Sequence, residues 1–332
     1  MGGAFNMVTP PFVSVVVPTY NRRDSLKSTI ESLLAQDYPS FEVIVVDDGS
    51  SDGTFEFLKG LSSARGNLKP LSQANRGPSA ARNLGLGTSG SEIVCFTDDD
   101  CIADRDWIKN LVAGFTVHDV GGVGGEVVTY QPSTLAEKYA EEAGLLRQEK
   151  YYSMKFLITA NVAYRREVLN KVGGFDTELR ACEDLDLSIR AQMGGYKIAY
   201  APSAVVYHKH RLGLKDLFRQ QYRNGIGLAR LNRKYPKDFK LPYNCIVLKV
   251  RILAKALGLP LALVNSFLRG GGRYAVVKPF YDIVVLSSNL LGMMEEGLFG
   301  RRYPGSIHAQ KLPFVEDQSF GALLRKIRFK LV

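Results

Sequence analysis

Apolar positions in the first 210 residues alternate between short unbroken runs and stripes at helical spacing. Residues 12–18 form an apolar run that reads as a buried strand. Residues 24–36 then carry Leu26, Ile30, Leu33 and Leu34 three to four apart, an amphipathic helix with Asp24 placed to cap it. The alternation continues with strands at 42–46, 67–71 and 92–97, separated by helices at 54–59 and 78–86. Helices are predicted at 105–115, 132–148 and 183–193, and strands at 120–129, 156–164, 197–200 and 205–207. Repeated β-α-β units predict an α/β fold around a mostly parallel, Rossmann-like sheet.

The texture changes after His210. Leu214, Leu217, Phe218, Tyr222, Ile226 and Leu231 are interleaved with Arg and Lys, and two longer apolar stretches follow. The first, 246–268, is interrupted by Lys249, Arg251 and Lys255; the second, 274–294, by Lys278, Pro279 and Asp282. Neither is a clean span of about 20 apolar residues, so helices lying at a membrane interface are expected, with a soluble helical subdomain as the alternative. The expected division is 1–211 for the α/β domain and 212–332 for a helical, membrane-associating region.

Charge sharpens that division. Residues 205–332 hold 23 Lys and Arg against 7 Asp and Glu, a net of +16, whereas the first 204 hold 20 against 26, a net of −6. An acidic front suits a metal-dependent site, and a basic, apolar back suits an anionic surface. Four scattered cysteines (Cys95, Cys101, Cys182, Cys245) form neither a zinc pattern nor a disulfide framework, and the first residues lack a signal-peptide pattern. A reducing location at the cytoplasmic face of the membrane is expected.

Candidate chemistry sits at the strand ends. Asp98-Asp99-Asp100 closes the run 92–97, and three adjacent carboxylates repel unless a cation compensates; a divalent metal does so, while a solvated turn is the plainer reading. Pro18-Thr19-Tyr20-Asn21-Arg22 and Asp47-Asp48-Gly49-Ser50 end the first two strands and face the same crevice. No G-x-G-x-x-G follows the first strand, which weighs against a dinucleotide-dependent dehydrogenase. Asp47 can accept hydrogen bonds from a base or ribose, or simply make an Asx turn. Arg82 stands one turn into a helix, where it balances the acids, holds a phosphate, or is a surface cation.

These segments resemble the family 2 inverting glycosyltransferases. VSVVVPTYNR, EVIVVDDGSSDGT, NRGPSAARNLGL, FTDDDCIAD, ITANVAYRREVLNKVGGFD, CEDLDLSIR and VVYHKHR occur in that family's order over about residues 12–211. The resemblance implies a GT-A fold and a metal-dependent, inverting hexosyltransferase of polysaccharide or glycolipid biosynthesis. It implies nucleotide-sugar contacts at Pro18, Thr19, Tyr20, Arg22, Asp47, Asp48, Arg82, Asp98, Asp99 and Asn161. Mg²⁺ or Mn²⁺ would sit at the D-x-D pair Asp98 and Asp100, with His208 beside it. Asp184 would be the catalytic base with Glu183 next to it, and Gly173 and Gly174 would border the donor sugar and acceptor. The expected donor is UDP-linked, with GDP- or dTDP-linked sugars as alternatives, and the acceptor is a glycan or lipid-linked hydroxyl at an anionic membrane surface. No nucleic-acid module accompanies the basic tail.

Departures from relatives narrow the class. Gln220-Gln221-Tyr222-Arg223-Asn224 replaces the Q-x-x-R-W of processive synthases, and Asp98-Asp99-Asp100-Cys101-Ile102 differs from the D-A-D-L-Q type of polyprenyl-phosphate mannose synthases. A single sugar transfer, not directly onto a polyprenyl phosphate, is therefore expected. The alternatives are a nucleotidyltransferase of related fold and a catalytically silent sugar-nucleotide-binding scaffold.

Overall fold

The computed structural model of the chain describes residues 10–63, 65–210, 213–235, 245–268 and 273–299. The chain divides into two compact units, Met1–Leu214 and Lys215–Val332. The boundary expected at 211–212 lies outside the described residues, as does most of the N-terminal stretch.

In the first unit the strands are β1 (Val13–Thr19), β2 (Phe41–Asp47), β3 (Leu68–Ser72), β4 (Ile93–Thr97), β5 (Cys101–Ala103), β6 (Val120–Thr129), β7 (Asn161–Arg165) and β8 (Lys197–His208). The helices are α1 (Arg23–Leu34), α2 (Thr54–Ser62), α3 (Pro78–Thr88), α4 (Trp107–Ala113), α5 (Leu135–Ala143), α6 (Gln148–Ser153), α7 (Arg166–Val172) and α8 (Glu183–Met193). One sheet runs in the order β3-β2-β1-β4-β7-β6-β8-β5. It is mixed: β3, β2, β1 and β4 are mutually parallel, β7 is antiparallel to both neighbours, β6 and β8 are parallel, and β5 is antiparallel to β8.

Strands covered on both faces must be apolar throughout, and Val13, Val15, Val16 and Val17 of β1 are all fully buried. The predicted stripe of α1 is borne out, with Leu26, Ile30 and Leu33 buried, each worth about 1.5–3 kcal/mol of transfer free energy. Those residues pack with Trp107 and Ile108 of α4 on one face. Phe96, Tyr164, Phe175 and Leu187 fill the other face beneath α3 and α8.

Several boundaries differ from the sequence expectations. Asp24 does not cap α1; it lies inside the first turn, and the Arg23 N–H is accepted by Asp52 of the next loop at 3.2 Å. The helix expected over 132–148 breaks into α5 and α6 at Gly144, whose φ of 59° is left-handed. The strand expected from 156 begins only at Asn161, after a turn in which Asn161 N–H donates to Ile158 O. The two strands expected at 197–207 are one, β8, which carries its irregularity where Gly125/Glu126 of β6 pair with Ala201/Val205.

The second unit contains α9 (Leu214–Lys234) from its second residue on, together with α10 (Cys245–Leu268) and α11 (Arg273–Phe299). Prolines lie inside the last two, Pro260 and Pro279.

Candidate active site

Strand direction gathers the acids. Because β7 is antiparallel to both β4 and β6, the strands β6 and β8 point the same way as β1, β2 and β4. Thr19, Asp47, Asp98 to Asp100 and His208 therefore reach one edge of the sheet, the edge where open α/β sheets bind ligands. The edge is completed by β5, which turns back from Asp100 and pairs Cys101 with His208.

The first two loops are fastened to one another. Asn21 Oδ1 accepts from Ser51 N–H and Asn21 N–H donates to Ser50 Oγ, both at 2.8 Å. Asp47, buried, accepts from Ser50 N–H at 3.2 Å. Asp48 takes three hydrogen bonds, from Gln73 Nε2 at 2.7 Å and from the N–H groups of Arg76 and Gly77 at 2.8 Å. Asp48 thus organises the approach to α3. Pro18 is half-buried, Tyr20 is exposed, and Thr19 donates its hydroxyl proton to Asp99 Oδ2 at 2.8 Å. Burial, reinforced by the neighbouring Asp100, pushes Asp99 up to about 7.

Asp100 has a different environment. Its carboxylate lies 3.1 Å from His208 Nε2 and 3.4 Å from Arg22. Burial alone would raise its pKa, but His208 and Arg22 outweigh that and hold it below the usual carboxylate value. Burial would likewise depress His208; Asp100 reverses the effect and raises it. His210 packs against His208 with ring centroids 4.8 Å apart and is pushed down to about 4 by burial and by that neighbour.

Asp100, Cys101 and His208 bring potential ligand atoms within 4.8 Å of one another. Asp100 Oδ1, buried, faces His208 Nε2 at 3.1 Å, and His208 Nδ1 is buried with no hydrogen-bond partner among the described residues. The carboxylate oxygen suits Mn²⁺ or Mg²⁺, and an imidazole nitrogen beside it suits Mn²⁺ better than Mg²⁺. The Cys101 thiol does not fit a hard cation: burial pushes it well above its usual range, and it faces Ala160 O at 3.8 Å.

Arg82 is the central cation. It is buried, with NH2 at 2.7 Å from Asp98 Oδ1 and NH1 at 2.7 Å from Glu183 Oε1. Of the roles open to it in the sequence, the contacts support balancing the acids. Asp184, beside Glu183 at the start of α8, accepts from Leu185 N–H at 2.9 Å and from Thr159 N–H at 3.4 Å. Burial first, and Glu183 second, push its carboxyl up to about 7, the range suited to a general base near neutral pH.

Asn161 lies deeper. Its Oδ1 accepts from Trp107 Nε1 at 2.7 Å, and its Nδ2 donates to Glu126 O and Ala204 O. With both ends of the amide engaged and the residue fully buried, Asn161 ties β7 to β6, β8 and α4. Gly174 has a φ of 70°, and a Cβ there would stand 2.6 Å from Asn83 Oδ1. Asn83, not singled out from the sequence, grips the loop that leads to α8; a polar side chain on the face of α3 next to Arg82 was its only signal.

The Glycosyl transferase family 2 model matches residues 14–173. Glycosyltransferase AglE of Haloferax volcanii is 33% identical over 224 residues, 66% of this chain and 73% of that protein. Glucosyl-dolichyl phosphate glucuronosyltransferase of the same organism is 29% identical over 217 residues, 59% of this chain and 69% of that one. The chain spans about half the length of other curated relatives that it matches. Among solved structures, mannosyltransferase PcManGT from Pyrobaculum calidifontis, in complex with GDP-Man and Mn²⁺, matches with a TM-score of 0.64 and 23% identity over 85% of this chain and 88% of that one. That likeness is one of fold, of the GT-A type.

Proposed function

Because the chain belongs to glycosyl transferase family 2, we propose that it transfers one sugar, with inversion and with a divalent metal, from a nucleotide-sugar to a hydroxyl of a membrane-attached glycan or lipid. The observation that carries this reading is the Arg82 bridge, in which one buried guanidinium holds both Asp98 and Glu183, the residue next to Asp184. Displacement at an anomeric carbon needs negative charge stabilised on the leaving side and a base on the attacking side.

Asp47, Asp48, Thr19 and Arg22 line the nucleotide side, with Tyr20 exposed beside them. Asp98, Asp100 and His208 would hold Mg²⁺ or Mn²⁺, which supplies Lewis-acid stabilisation of the diphosphate leaving group. Asp184 takes the proton of the attacking hydroxyl, which fits a carboxyl raised to about 7. Glu183 keeps Arg82 in place and, by its charge, raises Asp184. The nucleotide, the sugar and the acceptor are selected by loop contacts, and UDP- and GDP-linked sugars are the first donors to test. The basic second unit and the dolichyl phosphate in one relative's name support an acceptor at the cytoplasmic face of a membrane, with no nucleic-acid partner.

The test is incubation of the purified chain with a panel of nucleotide-sugars, Mn²⁺ or Mg²⁺, and membrane lipid extract. Metal-dependent consumption of one donor, with product of inverted anomeric configuration by NMR coupling, is the expected result. No consumption of any donor, or retention of configuration, would contradict the reading.

A further inference from the structure

Resting on the membrane association just proposed, we infer that the membrane-contacting element is one face of α10, lying in the plane of an anionic bilayer, and that α11 does not cross it. By length and composition Tyr274–Gly297 of α11 is the one helix among the described residues able to span a membrane. Its contacts within the second unit argue otherwise. A Cβ on Gly292 would stand 2.1 Å from Tyr222 O, and one on Gly225 would stand 2.2 Å from Asn289 O, so α11 and α9 touch backbone to backbone. Asn289 Nδ2 donates to Gln221 Oε1 at 3.0 Å. Glu296, buried, is met by Arg230 at 3.2 Å and by Arg233, whose NH1 also donates to Glu296 O at 2.6 Å. The partner helix α9 carries seven charged residues in its 21, too polar for hydrocarbon, and α11 is fastened to it over 289–296.

Among the described residues of the second unit, the most exposed large apolar side chains lie on α10. Val250, Leu253, Leu257 and Leu261 are 61%, 60%, 74% and 67% exposed. At 3.6 residues per turn they fall within an arc of about 80°. Leu248, on the opposite side, is fully buried. Lys249 and Arg251 flank the stripe on its two sides, and α10 contains no acidic residue. Lys255, farther round, is held by Asp282 of α11 at 2.8 Å. An apolar stripe bordered by cations and free of acids matches an anionic headgroup layer above an acyl boundary.

The experiment uses full-length protein and vesicles of phosphatidylglycerol and phosphatidylcholine. The wild type is expected to sediment with them. The double variant Leu253→Glu/Leu257→Glu, altered only at exposed positions and checked for unchanged helicity, should partition at least about 10-fold more weakly. Val117→Glu, exposed in the first unit, should bind as the wild type does. Leu257→Trp gives a depth probe because the only other tryptophan, Trp107, is fully buried. Bromines attached near the headgroup end of the lipid chains should quench it more than bromines near the chain ends. Wild type left in the supernatant overturns the membrane reading and this inference together. Equal sedimentation of wild type and double variant, or deeper quenching, overturns the inference alone. So does a wild-type dimer in solution that the double variant converts to monomer without any change in vesicle binding, because the stripe would then cover a second copy.

Discussion

Asn83 closes on both backbone polar groups of Phe175, donating to its carbonyl oxygen at 2.8 Å and accepting from its N–H at 2.8 Å. Phe175 in turn meets Phe96 edge to face at 5.0 Å and lies 5.6 Å from the Arg82 guanidinium. One turn earlier on α3, Ser79 donates to Leu179 O at 2.8 Å. The loop that delivers Glu183 and Asp184 is thus buttoned twice to the helix that carries Arg82. Asn83→Ala strands both groups of Phe175 and should cost about 1–3 kcal/mol of stability, read as a lower urea midpoint. An unchanged midpoint would mean that Ser79 and packing hold the loop without Asn83.

Arg82→Ala leaves two carboxylates around a buried gap, and breaking such a pair costs about 3–5 kcal/mol. Arg82→Lys keeps the charge but loses the fork that reaches Asp98 and Glu183 together. The expected order of melting temperature is wild type, lysine variant, alanine variant, with transfer lost in both. Normal transfer by the lysine variant would show that charge alone suffices.

Asp184→Asn should keep donor binding and lose transfer by about 10²-fold or more. A base must be unprotonated, so wild-type turnover should fall as pH drops below about 7. Stability runs the opposite way. A folded-state value above the ordinary carboxyl value of about 4 means the folded protein binds the proton more tightly. Stability from this group is therefore full at pH 4 and lost as pH rises to 7. Asp184→Asn should raise the melting temperature relative to wild type at pH 8 and not at pH 4. No such crossover would show that Asp184 ionises without penalty.

Asp100→Ala should remove the Mn²⁺ dependence of nucleoside-diphosphate binding while leaving a folded domain, and His208→Ala should weaken it. Titration calorimetry with and without Mn²⁺ reads both. Metal-dependent binding that survives in Asp100→Ala would move the ligand role to Asp98.

Elements with strong local signals were legible in the sequence. The stripe of α1 and the valine run of β1 declare themselves because each buries a face that periodicity reveals. The acid cluster was legible for the same reason, since the buried run before it fixed which end faces the crevice. What was missed depends on distant partners: β5 is three residues that become a strand only against β8, and α7 is a short helix after a strand whose start was misplaced. Arg82 could be singled out, but whether it meets acids or phosphate depends on Glu183, far along the chain. Asn83 offers only a polar side chain next to Arg82 until Phe175 is folded against it.

The pairing of β5 with β8 has a consequence for the order in which this domain is built. β8 is the last strand of the first unit to leave the ribosome, and it alone brings His208 to Asp100, where Lys209 N–H also donates to Asp100 O at 2.9 Å. The parallel half of the sheet can form from the early part of the chain, whereas this non-local closure waits for nearly all of it. A nascent domain would therefore present three crowded carboxylates with no histidine to balance them, and the cation site proposed above would be complete only once the sheet is closed. Binding of the proposed ion at this edge is expected to report on chains whose first unit has finished folding.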